Sequence, residues 1–175
     1  MANYVNHPIY GSQPISSENS YTKQEIEDAH WRYKSVRYFP ETAIPAAIEK
    51  QYDSLYPRQL YVDIEEQCVD CHKLFIFFAK EQQYWFEELK FWIDAHAIKC
   101  FGCRKRTRVI NRLQIYYANL IIKEHRTPAE TQLLKSSAQQ LFDLGVFNKV
   151  NKLNVIRKMQ LSEACQLQTL RSFNV

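Results

Sequence analysis

Glycine is almost absent from this sequence, with three in 175 residues. No glycine-rich loop of the kind that cradles a nucleotide's phosphates can be assembled from so few. Long apolar runs are missing as well, and none approaches the roughly 18 residues that a membrane-crossing helix requires. The first twenty residues, Met1 to Ser20, are polar and carry no apolar stretch of the secretory kind. The expectation is a cytoplasmic protein in a compartment that keeps thiols reduced. No Ser/His/Asp or Cys/His order suggests an activated nucleophile, so the reading leans away from an enzyme.

Rings are abundant: 11 Tyr, 10 Phe and 3 Trp make 14% of the chain aromatic, which excludes wholesale disorder. Charge is unevenly placed. Residues 1–99 carry ten Lys/Arg against fifteen Asp/Glu, whereas residues 100–175 carry thirteen against four. The basic second half suits an anionic partner, or else attraction to the acidic first half.

The chemistry is concentrated in Cys68-Val69-Asp70-Cys71 and Cys100-Phe101-Gly102-Cys103, separated by 28 residues. Each C-x-x-C turn points two thiolates at one cation, and two turns complete a four-sulfur shell with no open corner. That describes one structural Zn²⁺ held by Cys68, Cys71, Cys100 and Cys103. Two disulfides, or a redox pair, are the alternatives. The expected reducing compartment argues against the first, and the presence of two pairs argues against the second. His72 and His96 are rival ligands by proximity. Cys165 stands alone and reads as a small buried apolar residue. Asp63, Glu65, Glu66 and Asp70 form an acidic run that can hold Mg²⁺, although a solvated rim is the simpler reading.

Alternation over Leu60 to Ile64 predicts a strand leading into the first cysteine pair, and Lys73 to Phe78 reads as a buried strand. Lys80 to Phe91 reads as a helix with Tyr84, Trp85 and Leu89 inward and Glu81, Glu87 and Glu88 outward. From Arg104 to Arg126 no Pro or Gly interrupts a helical stripe of Val109, Ile110, Leu113, Tyr116, Tyr117, Leu120 and Ile121. Thr22 with Glu25, and Thr127 with Pro128 and Glu130, are helix-start signals. A last helix is expected from Val146 to Leu170, with Val150, Leu153, Ile156, Met159 and Leu161 as its stripe. Residues 1–60, broken by Pro40, Pro45 and Pro57, read as an irregular aromatic coat.

The stretch from Tyr56 to Arg104 resembles a family of small bacterial proteins described as a probable zinc-ribbon domain of treble-clef type. The resemblance rests on Tyr61-Val62-Asp63, the two cysteine pairs, Phe75-Ile76-Phe77, Glu81-Gln82 and Trp85-Phe86-Glu87-Glu88-Leu89, with Phe39 to Pro45 upstream. It implies a fold and a metal, and carries no activity.

The fold class expected is therefore α+β: a four-cysteine treble-clef module with an N-terminal arm and a C-terminal helical extension. The boundaries are 1–59 for the arm, 60–126 for the module running into a basic helix, and 127–175 for the helical tail. The expected function is a non-enzymatic, zinc-stabilised interaction module that binds a protein partner or a second copy through the C-terminal helices. The alternative is nucleic-acid binding through Arg104, Lys105, Arg106, Arg108 and Arg112, with Lys123, Arg126, Lys149, Lys152, Arg157 and Lys158 extending the basic surface and Tyr116 and Tyr117 interleaved.

Overall fold

The computed structural model describes residues 3–52, 55–151, 154–155 and 157–159. The chain divides into two units, Met1–Arg104 and Lys105–Val175. The first contains a three-stranded antiparallel sheet in the order β1-β2-β3, with β1 at Tyr38–Pro45, β2 at Leu60–Gln67 and β3 at Leu74–Phe77.

The central strand β2 is buried on both faces. Leu60, Val62 and Ile64 face a cluster with Ile26, Ala29, Tyr33 and Ala43. This is the face the alternation predicted. Tyr61, on the other face, is equally buried, against Ala79, Phe86 and Ile93.

The first sixty residues are more ordered than their prolines suggested. Helix α1, Lys23–Ala29, starts at the Thr22/Glu25 capping box. Tyr38–Pro45 is a full strand rather than irregular coat. Its prolines are tolerated because β1 is an edge strand and because its register with β2 breaks between Phe39 and Ile44. Pro40 falls inside that break, where no ladder N–H is required. Thr42 restores the missing pairing: its hydroxyl donates to the Phe39 carbonyl at 2.7 Å and accepts from the Asp63 N–H at 2.8 Å.

After β3 the chain enters helix α2, Ala79–Gln83, and continues without a break into a π turn, Tyr84–Glu88. The Leu89 N–H reaches the Tyr84 carbonyl five residues back. The extra residue rotates the helix beyond it, and the faces match the prediction only in part: Trp85 packs inward and Glu88 is exposed, as expected. Tyr84 and Leu89 are exposed, whereas Glu81, Gln82, Phe86 and Glu87 are buried. The burial of Glu87 corrects its reading as helix surface. The buried amide and carboxylate of Gln82 and Glu87 have partners. Gln82 donates to the carbonyls of Val62 and Phe77 and accepts from Arg58. Glu87 accepts the Ala47 N–H at 2.8 Å. Arg58 is itself fully buried, with its guanidinium over the Phe86 ring and its Nε donating to the Ile93 carbonyl.

Helix α3 spans Phe101–Ile121 and helix α4 spans Pro128–Asp143. α4 begins at the predicted Thr127/Glu130 capping box with Pro128 in its first turn. Gly145 takes the left-handed conformation just past its end, at φ 75°. Leu134 and Ala138 of α4 pack with Val155 and Met159, and with Tyr117, Leu120 and Ile121 of α3. Residues 149–151, 154–155 and 157–159 are helical. The expected continuation to Leu170, with Lys152, Leu153, Ile156, Leu161 and Cys165, lies outside the described residues.

His30 supplies a pH test of this fold. It is 4% exposed, and its Nδ1 accepts the Arg32 N–H to cap the turn Trp31–Ser35. Burial, reinforced by the charge of Arg58 and only partly opposed by Asp94, lowers its pKa to about 4. The unfolded chain thus binds the proton that the folded chain refuses, and stability falls as pH drops from 6.5 toward 4. His30→Asn keeps an acceptor at the cap but cannot charge. Urea denaturation across that window should give a shallower acid loss for the variant than for the parent.

Candidate metal centre

The hairpin between β2 and β3 forms the first cysteine turn. Gln67 pairs with Leu74 at its base, and Cys68 to Lys73 make the loop. The Cys68 N–H reaches the Lys73 carbonyl at 3.0 Å, and the His72 N–H reaches the Cys68 carbonyl at 2.8 Å. His72 adopts φ 58° to let the chain turn back into β3. The Gln67 side chain donates to the His72 carbonyl and holds that conformation. The second pair opens α3. Cys100 immediately precedes the helix, its carbonyl accepting the Arg104 N–H at 3.0 Å, and Cys103 sits in the first turn. The Val69 N–H to the Ile98 carbonyl ties one pair to the other across 3.0 Å.

These two local structures bring four sulfurs to one point. All four donor atoms lie within 4.8 Å of one another. A tetrahedron with metal–sulfur bonds of about 2.3 Å has edges of about 3.8 Å, and the Cys71 and Cys100 sulfurs are 3.9 Å apart. That is far beyond a disulfide's roughly 2.05 Å, and all four are free thiols. The donor set fits Zn²⁺, a cation satisfied by four thiolates, and all four positions are taken by protein. Such a centre organises structure and leaves no corner for substrate.

The surroundings favour thiolate unequally. Burial raises the Cys68 thiol, but N–H groups of Cys71, Cys100 and Asp70 directed at its sulfur outweigh that and bring it to about 6. Burial pushes Cys100 and Cys103 up, and neighbouring sulfurs push Cys103 further. A divalent cation is what allows all four to ionise together. The N-terminal end of α3, with its partial positive charge, favours the second pair. Phe75, Phe77 and Ala97, with Val5 and Trp85 at the margin, pack around the sulfurs.

The candidate rivals and accessories are placed elsewhere. Among the described residues the metal-capable group contains neither histidine. His72 is exposed, and His96 contacts Arg32 at 3.2 Å. The acidic run is divided among separate partners. Asp63 accepts N–H bonds from Ile15 and Ala79, Glu65 faces Arg37 and Tyr4, Glu66 pairs with Arg32, and Asp70 pairs with Lys99.

The five basic residues after the second pair separate into two groups. Arg104 lies over the Trp85 ring at 5.1 Å and pairs with Glu81 Oε1 at 2.7 Å, with His7 Nε2 3.7 Å from the same oxygen. Burial and the Arg104 charge lower the pKa of His7, and its ring is stacked on Tyr10 and edged by Phe101. Arg106 donates to the Leu144 carbonyl at 3.0 Å, closing the end of α4. Lys105, Arg108 and Arg112 are exposed. Of the outlying basic residues, Lys123 pairs with Glu130 and Arg126 donates to carbonyls at the end of α3. Lys149, Arg157 and Lys158 are exposed. The packing of Glu81, Trp85 and His7 beside the centre was not foreseen, although Glu81 and Trp85 belong to the family-like motif.

Two measurements check this arrangement. Cys68→Ser and Cys103→Ser should each abolish the one-to-one zinc content seen by plasma mass spectrometry and lower the melting temperature. Arg104→Met, which leaves the Glu81 carboxylate buried opposite an apolar chain, should cost about 3 kcal/mol in chemical denaturation. Arg108→Met, at an exposed position, should change stability by no more than about 0.5 kcal/mol.

No curated protein and no solved structure matches this chain. Residues 62–112 match the family described as a probable treble clef domain. The hairpin turn, the four clustered cysteines and the first half of α3 all lie in that stretch, which is a treble-clef domain on an α+β scaffold.

Proposed function

We propose that this chain is a zinc-organised, non-enzymatic interaction module, and that its contact surface is the outward face of α3, engaging an acidic macromolecule. One observation carries the reading. Arg104 and Arg106 are tied within the protein, whereas Lys105, Arg108 and Arg112 are exposed and have no ion-pair partner among the described residues. At 3.6 residues per turn, those three fall within an arc of about 60°. A basic run that only solvates a surface has no reason to divide in this way.

One further fact supports the choice of α3. The apolar stripe of the C-terminal helices is occupied inside its own unit by Leu134, Ala138, Val155 and Met159. A protein partner or second copy docking on that stripe would have to displace it. Among the described residues, no helix is long and apolar enough to cross a membrane.

The reading is tested on a polyanion column with zinc-loaded protein. Replacing Lys105, Arg108 and Arg112 with Gln should lower the salt concentration of elution from heparin at least twofold, with zinc content and melting temperature unchanged. Co-elution of variant and parent would overturn it.

A further inference from the structure

We infer that the acidic partner is single-stranded nucleic acid, an assignment that rests on the contact surface proposed above. The exposed face of α3 is not uniformly charged. Tyr116 lies about 20° from Lys105 around the helix axis, and so continues the arc of Arg112 and Arg108. Its ring is 40% exposed, and Val109 and Ile115 beside it are 39% and 58% exposed. Tyr117, the neighbouring ring in sequence, is packed edge-on against Phe147 at 4.8 Å and is not available. The surface thus alternates cation and apolar side chain along one helix face.

That alternation matches the chemistry of an unpaired strand. Its phosphates require point charges at intervals, and its unstacked bases offer flat apolar faces to an aromatic ring. Arg108 and Arg112 are one turn apart, so both guanidinium groups can reach the same stretch of backbone, and guanidinium binds phosphate with two parallel hydrogen bonds. A duplex hides its base faces and would leave Val109, Ile115 and Tyr116 against phosphate and water. An acidic peptide would satisfy the cations but has no flat partner for the tyrosine.

The test uses full-length, zinc-loaded protein and fluorescence anisotropy with three probes: a labelled 20-nucleotide single strand, a hairpin duplex of the same length, and a polyglutamate peptide. The single strand should bind most tightly. The logarithm of its affinity should fall against the logarithm of salt with a slope of about −2, as expected for three phosphate contacts on a single strand. Tyr116→Ala should weaken the single strand at least fivefold and leave polyglutamate unchanged. The Lys105/Arg108/Arg112 to Gln triple variant should weaken all three probes. Circular dichroism melts and zinc content confirm that each variant is folded. Polyglutamate binding as tight as the single strand, with no effect of Tyr116→Ala, would overturn the nucleic-acid assignment while the contact surface stands. Tighter binding of the duplex would overturn the single-strand assignment. Failure of the triple variant to weaken any probe would overturn both the assignment and the surface beneath it.

Discussion

Four thiol groups converging on one point repel one another as they ionise, and the rest of this architecture depends on a divalent cation to reconcile them. Through Cys68 and Cys71 such an ion would hold the β2–β3 hairpin, and through Cys100 and Cys103 the start of α3. Residues 72–99 are the intervening chain, and they are occupied by β3, α2 and the π turn. An ion held there would close that long loop and join the β2–β3 hairpin to the first turn of α3. Phe75, Phe77 and Ala97 pack around the sulfurs, covering Cys68 and Cys100 fully and leaving Cys71 and Cys103 half-buried.

A second layer of the structure is polar and buried. Asp63, Gln82, Glu87 and Arg58 lie inside the fold, and each is bonded to main-chain groups or to the others. Asp63 alone joins three regions, because its two oxygens accept from Ile15 and Ala79 while its N–H reaches Thr42. Burial raises its pKa to about 6 against the pull of those two N–H groups. Burying such groups stabilises little in itself, but a misplaced strand or helix would leave them unsatisfied, at a cost of about 1–3 kcal/mol for each. They select one register of the β1 bulge and one rotation of α2.

Which parts of this were legible in advance follows from the range of the interactions concerned. The cysteine pairs, both capping boxes and the left-handed Gly145 are local signals, and each could be read from a few neighbouring residues. The α3 stripe was read correctly at Leu113, Tyr117, Leu120 and Ile121, where periodicity and burial agree. It failed at Val109 and Tyr116, apolar residues that remain on the surface. β1 was hidden because a proline argues against a strand, and only its pairing with β2 reveals a bulge that needs no N–H at Pro40. The faces of 80–91 were read only in part: one extra residue in the π turn shifts the helical phase beyond it by about 100°, and the burial of Glu81, upstream of that turn, goes with its distant partner Arg104. The burial of Asp63 was invisible because its partner Ile15 is 48 residues away.

The position of Cys100 and Cys103 at the head of α3 has a kinetic consequence. A helix pays its largest entropic penalty in forming the first turn, with a nucleation constant of about 10⁻³. Coordination by Cys100 and Cys103 would impose that turn, so α3 would propagate from a nucleus already in place and fray chiefly from its distant end. Lys105 and Arg108 occupy the turns nearest that nucleus, and Arg112 lies one turn beyond, so their order would depend on the ion. Withdrawal of the ion would loosen those turns before any others, so metal supply and the alignment of this basic face rise and fall together.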